Sequence, residues 1–144
     1  MQNAGVLWVL GHRVRPLDTD SSYAMVEVTS PPRVPGPPPH HHQDQKEFFM
    51  VMKGTLDVMT NGQWSRCAAG TFVELAPNTT HTFINNTDED VVWVTGWRPK
   101  GFEKFFVDFG VSVDEADAAA KSVAPELIQR VVADVERYGM ILSR

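Results

Sequence analysis

The sequence contains little cysteine and no excess of positive charge. Cys67 is the one cysteine among 144 residues, which excludes an internal disulfide framework and is typical of a reducing compartment. The formal net charge of −5 leaves no basic surface for nucleic acid or for an anionic membrane. We therefore expect neither a disulfide-rich secreted domain nor a protein that binds nucleic acid or membranes.

Long apolar runs are also missing near the start of the sequence. The longest run there, residues 6–10, is too short for a secretory signal or a membrane span. A cytoplasmic location is the resulting expectation. Cys67 has no histidine or second cysteine near it in sequence, so we interpret it as a strand residue rather than a nucleophile.

What the chain does contain is a series of short apolar segments separated by turn residues. A length of 144 residues with 42% apolar content is enough for one domain, residues 1–144, with one core. The predicted strands are 6–10, 23–29, 47–52, 55–60, 63–67, 72–75, 81–84 and 91–97, with residues 13–16 as polar connection. The predicted core consists of Val26, Val28, Phe49, Val51, Leu56, Val58, Phe72, Leu75, Phe83, Val92 and Val94. This spacing, with a tight turn at Asn61-Gly62, predicts an all-β sandwich or barrel.

Residues 31–39 contain six prolines and one glycine. Because proline cannot donate a ladder hydrogen bond, this segment cannot be a central strand. One domain of this size has nothing to link, so we predict a stiff loop at the rim of the barrel rather than a polyproline linker. Such a loop would fix where the histidine-rich strand begins.

The residues after about position 100 change from strand patterns to helix patterns. Residues 101–110 predict a short helix ended by glycine. Ser112 and Glu115 form a capping box that predicts a second helix to about position 121, and Pro125 is the predicted start of a third. The apolar positions of the third helix, which we expect to pack on the barrel, are Leu127, Ile128, Val131, Val132 and Val135.

Three histidines and one glutamate are spaced so that they can meet at one point. His40 and His42 are two apart, and such residues point to the same side of a strand, whereas His41 points away. The polar residues that follow can reverse the chain and bring Glu47 back beside these imidazoles. With His81 from a second stretch, the donors make a mixed nitrogen and oxygen site that suits Fe, Ni, Cu, Mn or Zn.

The first of these stretches, residues 36–54, resembles the first motif of the cupin family. That motif reads Gly, a spacer, His-x-His, three or four residues, Glu, six residues and Gly. His40, His42, Glu47 and Gly54 match this spacing, and Gly36 is two residues nearer the first histidine than is usual.

The second stretch, residues 70–85, resembles the second cupin motif. That motif reads Gly, five residues, Pro-x-Gly, two residues, His, three residues and Asn. The matching residues are Gly70, His81 and Asn85, while Ala76 occupies the proline position and Asn78 the inner glycine position. Asparagine tolerates a left-handed backbone better than other non-glycine residues, so we expect the turn to be kept.

The resemblance implies a cupin jelly roll over residues 5–100, followed by helices within 101–140. It also implies one divalent metal ion (Fe, Ni, Cu, Mn or Zn) bound by His40, His42, Glu47 and His81, and a homodimer as a candidate assembly. The segment GFEKFF and the last helix resemble the tails of small cupins similar to quercetin 2,3-dioxygenases.

This subgroup implies a metal-dependent dioxygenase that acts on an aromatic phenolic or enolic small molecule. Zinc in the same site would suit a polyketide cyclase or isomerase, and a non-catalytic small-molecule-binding cupin is a third alternative. Glu47 is the candidate catalytic residue, either as fourth ligand or as general base. The predicted substrate pocket consists of Phe49, Val51, Phe83 and Trp93. We interpret His12, which is alone near the amino end, as an ordinary surface or packing histidine.

Overall fold

Two antiparallel β-sheets, packed face to face, form the body of the computed structural model, which describes residues 5–20 and 22–143. The strands are β1 (Leu7–Val9), β2 (His12–Leu17), β3 (Ala24–Ser30), β4 (His40–His42), β5 (Lys46–Lys53), β6 (Thr55–Thr60), β7 (Gln63–Ala68), β8 (Phe72–Leu75), β9 (His81–Ile84), β10 (Val91–Arg98), β11 (Val111–Ser112) and β12 (Met140–Leu142). The helices are α1 (Glu103–Phe109), α2 (Ala118–Lys121) and α3 (Pro125–Asp134), and a 3₁₀ helix, Val135–Tyr138, follows α3 directly.

The two sheets have a jelly-roll arrangement. The larger sheet has seven strands in the order β11-β1-β2-β3-β10-β5-β8, and the smaller has five in the order β12-β4-β9-β6-β7. Successive strands such as β4 and β5 lie in different sheets, so the chain passes repeatedly from one layer to the other. The predicted all-β jelly roll with a short helical extension is therefore confirmed. As a result, inward-facing residues of both sheets share one interior.

The core follows the two-residue period of the strands. On β3 every second residue is buried, including Val26 and Val28, and Trp93 and Trp97 are buried in the same way on β10. Burial of one large apolar side chain contributes about 1.5–3 kcal/mol, so this alternation is what fixes which face of each strand is inward.

Three residues of the predicted core lie elsewhere. Val92 and Val94 alternate with the buried Trp93 and therefore face outward, where they are only partly buried. Phe72 is 54% exposed on the edge strand β8. The prediction failed at β10 because that strand is apolar on both faces, and alternation alone cannot then say which face is inward.

The turns predicted from asparagine and glycine are confirmed. Asn61 and Gly62, with φ values of 50° and 86°, join β6 to β7 as a hairpin. Asn78 has a φ of 68°, which is the left-handed conformation expected where the cupin motif has glycine. The turn before β9 is therefore kept despite the substitution.

Residues 13–16 are part of strand β2 and not a polar connection. His12 and Val14 are buried while Arg13 and Arg15 are exposed, so the alternation is present, but the charged residues obscure it. Pro16 is tolerated because β1 pairs only with residues 12–14, so residues 15–17 of β2 have one hydrogen-bonded neighbour, β3.

The helical region differs from its prediction in one place. Helix α1 lies within the predicted residues 101–110, and α3 begins at Pro125 as predicted. The predicted second helix is wrong over most of its length, because Ser112 ends strand β11 and only Ala118–Lys121 is helical. The Ser112 hydroxyl accepts a hydrogen bond from the Asp114 amide and so forms a turn instead of a helix cap.

One face of α3 is only half covered by the barrel. Val131 and Val135 are buried, but Ile128 and Val132 are 40% and 53% exposed.

No helix within residues 5–20 and 22–143 has the length and apolar character needed to cross a membrane.

Strand β12 was not predicted from the sequence. It pairs with β4, and the register places Met140 beside His42 and Leu142 beside His40. A strand from the far end of the sequence therefore holds the outer side of the strand that carries the paired histidines.

Candidate metal centre

The two sheets place the four predicted ligands opposite one another across the interior. His40 and His42 face inward from β4 and are buried, and His81 is the cross-strand partner of His40 on β9. Glu47 faces them from β5 in the other sheet. His41 alternates with its neighbours, is only partly buried and takes no part in the cluster.

The donor atoms of these four residues converge. One nitrogen from each of His40, His42 and His81 and one oxygen from Glu47 all lie within 4.8 Å of one another. The Glu47 Oε1 atom lies 2.9 Å from Nε2 of His81 and 3.1 Å from Nε2 of His42. The cluster is thus a preformed set of three imidazoles and one carboxylate.

Backbone carbonyls and one hydroxyl orient this set from behind. Nδ1 of His40 donates to the carbonyl of Pro38 at 3.0 Å, and Nδ1 of His81 donates to the carbonyl of Thr79 at 2.8 Å. The other ring nitrogen, Nε2, is therefore turned toward the centre. The hydroxyl of Thr95 donates to Oε2 of Glu47 at 2.7 Å, so both carboxylate oxygens are held.

The predicted rim loop, residues 31–39, supplies part of this support. Besides the Pro38 carbonyl that orients His40, the Pro37 carbonyl accepts a hydrogen bond from Thr82, next to His81. The amide of Gly36 donates to the carbonyl of Phe83 at 2.8 Å. A Cβ atom at Gly36 would lie 2.6 Å from that same carbonyl oxygen, so only glycine fits here.

Burial and mutual contact set the protonation of the cluster. Burial, with the neighbouring His81 and His42, lowers the pKa of His40 to about 3, so this imidazole is neutral. Burial alone would raise the pKa of Glu47, but the hydrogen bonds from His42 and His81 outweigh it and hold that pKa below its usual range. Burial opposes a charge on His81 too, yet the contact with Glu47 raises the pKa of its imidazole. Glu47 and His81 therefore each favour the charged form of the other.

The chemistry of this donor set fits a divalent metal ion. A carboxylate buried without lysine or arginine needs a cation nearby, because an unpaired buried charge is strongly disfavoured. Neutral imidazole nitrogens and a carboxylate oxygen are ligands suited to Fe, Ni, Cu, Mn and Zn. His40, His42, Glu47 and His81 are therefore the residues that would hold the ion.

An apolar cavity of about 80 Å³ adjoins the cluster. An engineered cavity of about 150 Å³ holds one benzene molecule, so this space suits a ligand of a few atoms and not a multi-ring flavonol. Of the predicted pocket residues, Phe49, Phe83 and Trp93 line the cavity, whereas Val51 is buried but is not part of its wall.

Several lining residues were not singled out from the sequence. Phe102, Phe105 and Phe106 come from the helical extension, and Thr95 and Trp97 come from β10. The sequence predicted that these phenylalanines lie in a helix within residues 101–110, but it did not predict that this helix places them against the cavity. Trp97 lies four residues after Trp93 on β10, so the two-residue period places both on the inward face.

His12 is a buried residue of the cavity wall, so the surface half of its interpretation is wrong. Its Nε2 donates to the carbonyl of Pro35 at 2.9 Å, and its Nδ1 therefore accepts from the Ser30 hydroxyl, also at 2.9 Å. Ser30 in turn accepts from the indole of Trp93. Burial lowers the pKa of His12, with the Pro35 hydrogen bond opposing, so it is a neutral packing histidine with both nitrogens satisfied.

Cys67 lies on strand β7, as predicted, and is not one of the residues of the cluster. Its side chain is buried in the core, and burial raises the pKa of its thiol, with Asp57 adding to the effect. A raised thiol pKa disfavours a nucleophilic role.

Residues 26–97 match the Cupin domain model, and the chain belongs to this family. The comparison with curated proteins gave no match. The family match covers cupins in general, so the resemblance to quercetin dioxygenases stays a prediction.

Solved structures show the same fold at low sequence identity. A sugar phosphate isomerase of the cupin superfamily from Silicibacter pomeroyi DSS-3 has a TM-score of 0.59 and 21% identity over 63% of this chain and 61% of that chain. An RmlC-like cupin from Shewanella frigidimarina has a TM-score of 0.61 and 16% identity over 73% and 99% of the two chains. A recombinant oxalate oxidase in complex with glycolate has a TM-score of 0.54 and 24% identity over 62% and 52%. The chain thus spans less than two thirds of the isomerase and oxidase chains, and the likeness shows the fold.

Proposed function

We propose that this chain is a metal-dependent cupin enzyme of the oxygenase class that acts on a small enolic compound. The observation that carries the proposal is the fully held Glu47 beside three buried imidazoles, next to a small apolar cavity. A divalent ion bound there would supply Lewis acidity to a substrate hydroxyl and, if redox-active, a route for electrons to O₂.

The protein's own residues supply position and exclusion of water. The hydroxyl of Thr95 and the ring nitrogens of His42 and His81 hold the Glu47 carboxylate in one orientation. The aromatic wall, which includes Phe49 and Phe102, surrounds the reacting region with apolar surface. Electrostatic interactions inside such a site are stronger than in water.

The arrangement favours an oxygenase over a cyclase or isomerase that only moves protons. Proton transfer needs a free acid or base near the substrate. The titratable residues in the described cavity wall are the four cluster residues and His12, and His12 is engaged at both nitrogens. No described wall residue outside the cluster is therefore free to act as a base.

The size of the cavity narrows the expected substrate. A compound with a hydroxy-ketone or diketone group and few other atoms fits about 80 Å³, whereas a flavonol exceeds it. We therefore move the proposed substrate from aromatic phenols toward small enolic compounds. The structural neighbours named as an isomerase and an oxalate oxidase are consistent with small polar substrates.

Oxygen uptake tests this proposal. Protein purified without added metal is analysed for bound metal and then assayed with hydroxyacetone, catechol and a flavonol, in air and under argon. We expect Fe, Ni, Cu or Mn, and oxygen consumption with the small enol only. Turnover that continues unchanged under argon would reject the oxygenase in favour of the cyclase or isomerase. Binding without turnover would favour the non-catalytic alternative.

The Glu47→Gln variant tests the role of Glu47. Because both carboxylate oxygens are held within the cluster, we expect this variant to lose most of its metal as well as its activity. His41→Ala, in the same strand but outside the cluster, is the matched control and should retain both. A Glu47→Gln protein that keeps its metal but loses activity would instead assign Glu47 as the general base.

A further inference from the structure

An apolar groove of about 250 Å³ lies next to the metal cavity. It is bounded by residues 34–38 of the rim loop and by the apolar face of α3, where Ile128 and Val132 are exposed. The described residues that line this groove carry no charged or polar side chain. Since an engineered apolar cavity of about 150 Å³ holds one benzene molecule, the groove has room for an aromatic ring or an alkyl chain.

Three residues line both the groove and the metal cavity, namely Leu10, Pro37 and Met140. At these positions the partition between the two spaces is one side chain thick. Pro37 and Met140 belong to backbone that supports the metal ligands, because the Pro37 carbonyl accepts a hydrogen bond from Thr82 and Met140 pairs with His42. Leu10 lies instead in the turn that joins β1 to β2, so its side chain can be changed without altering that support.

The backbone at Leu10 is unfavourable for leucine. Leu10 and Gly11 have φ values of 50° and 88°, nearly the same as the 50° and 86° of Asn61 and Gly62 in the turn between β6 and β7. Asparagine is favoured at the first of these positions, whereas a bulky side chain is disfavoured at positive φ. The chain therefore has leucine where the backbone favours asparagine, and this leucine forms part of the wall of the metal cavity. Unfavourable backbone conformations of this kind cluster at functional sites.

The turn that carries Leu10 is held firmly by its surroundings. The amide of Gly11 donates to the hydroxyl of Ser122 at 3.0 Å, and Ser122 is fully buried. A Cβ atom at Gly11 would lie 3.2 Å from Val34 and 3.4 Å from Val123, so the chain packs closely on both sides of the turn. We therefore interpret Leu10 as a fixed wall between the two spaces.

We propose that Leu10 determines which substrates the site accepts, because it closes the metal cavity against the groove. This inference rests on the proposed function, since it concerns the substrate of the same site. In the wild-type protein the apolar part of the substrate ends at Leu10 and contains few carbon atoms. Without the Leu10 side chain the cavity and the groove become one space, and an alkyl chain can extend from the metal toward Ile128 and Val132.

Two hydroxamates that differ only in chain length test this role. Acetohydroxamate and hexanohydroxamate chelate a metal ion through the same two oxygens, and the second has four more methylene groups. In calorimetry on Zn²⁺-loaded wild type, hexanohydroxamate should bind about 10-fold more weakly or worse, because its chain overfills the cavity. In Leu10→Ala the order should reverse, since each newly buried methylene group contributes about 4-fold in affinity.

Leu7→Ala is the matched control. Like Leu10, Leu7 is partly buried and packs against the core, but it is not among the described residues that line the cavity or the groove. This variant should keep the wild-type preference for acetohydroxamate. Val132→Asn, added to Leu10→Ala, should remove most of the gained hexanohydroxamate affinity, because it places a polar group in the groove that the chain enters.

The unmodified chain gives a readout that does not depend on the folding of a variant. From acetohydroxamate through butanohydroxamate to hexanohydroxamate, the affinity of the Zn²⁺-loaded wild type should fall as the chain lengthens. An affinity that rises with chain length, zinc-loaded protein that binds no hydroxamate, or a wild-type preference retained in Leu10→Ala overturns the role of Leu10 alone. Failure to bind any metal overturns the proposed function, and the role of Leu10 with it.

Discussion

Glu47 is the residue on which the charge balance of the interior depends. Its carboxylate is 5% exposed, yet its pKa is lowered, because His42 and His81 donate hydrogen bonds to it. A buried carboxylate surrounded by imidazole nitrogens is an arrangement that a divalent cation stabilises well. The individual histidines should therefore differ sharply in their effect on metal binding.

The first prediction concerns the three consecutive histidines of β4. His40→Ala and His81→Ala should each lose bound metal. Each variant removes one of the four donor atoms, which all lie within 4.8 Å of one another. His41→Ala should keep a full complement, because its side chain faces the other side of the strand. Metal analysis of the purified variants checks this, and equal losses in all three would mean that the strand register is wrong.

The second prediction concerns His12. The groups in contact with it are Ser30, the Pro35 carbonyl and the Phe83 ring, none of them charged. Its pKa in the folded protein is lowered from 6.5, so below that pH the unfolded chain binds a proton that the folded protein does not. Its contribution to stability is therefore complete above pH 6.5 and decreases as the pH falls, by at most about 1.4 kcal/mol per pH unit.

Urea unfolding of wild type and His12→Gln at pH 7.5 and pH 5.5 measures this effect. The side-chain amide of glutamine can donate and accept but does not titrate in this range. The loss of stability between the two pH values should be smaller in the variant, since the other histidines titrate in both proteins and cancel. If wild type and His12→Gln lost the same amount of stability between the two pH values, His12 would be protonated to the same degree in the folded and unfolded states.

Among the secondary-structure elements, strand β12 supports the site by pairing with β4, the strand that carries His40 and His42. It is the outer neighbour of β4, with Ile141 opposite His41. The flanking hydrogen bonds, from Gln43 to Gly139 and from Ser143 to Pro39, continue the antiparallel ladder on both sides. By alternation, Ile141 belongs to a hydrogen-bonded pair with His41.

The third prediction follows from this pairing. Ile141→Pro should destabilise the protein by about 1–3 kcal/mol and weaken metal binding, because it removes an amide donor from the ladder that holds β4. Ile141→Ala is the control for the lost side chain and should retain most metal affinity. Chemical unfolding and a metal titration on both variants give the comparison; similar metal affinities in the two would show that β4 needs no support from β12.

The elements also show what the sequence could and could not reveal. The two-residue spacing of His40 and His42 gives these two side chains a shared face by local geometry. Glu47, in the other sheet, and His81, on β9, were predicted as their partners through the resemblance to the two cupin motifs. Strand β12 was not, since a three-residue strand has too little periodicity and its partner is far away in sequence. The capping box at Ser112 was misleading because a serine turn uses the same residue types as a helix cap.

At the scale of the whole molecule, the two sheets are joined at the metal cluster. His40, His42 and His81 belong to the five-stranded sheet and Glu47 to the seven-stranded sheet. An ion bound by all four residues therefore links the two layers, and it binds only when both have formed. Ligand binding of this kind stabilises the folded state by mass action.

The fourth prediction is a metal-dependent melting temperature. Metal at about 1,000 times its dissociation constant should add about 4 kcal/mol to the free energy of unfolding, which corresponds to a rise on the order of 10 °C. Thermal scans of chelator-treated and reloaded protein measure it. The His40→Ala variant should show no such rise, and an equal rise in that variant would place the ion elsewhere.

The pairing of β4 with β12 also bears on when the site is completed during synthesis. His40, His42, Glu47 and His81 leave the ribosome well before residues 140–142, since a nascent chain emerges in sequence order. Until then β4, three residues long, has β9 as its one hydrogen-bonded neighbour in the sheet. We therefore expect stable insertion of the ion only after the β12 residues have been translated and have paired with β4.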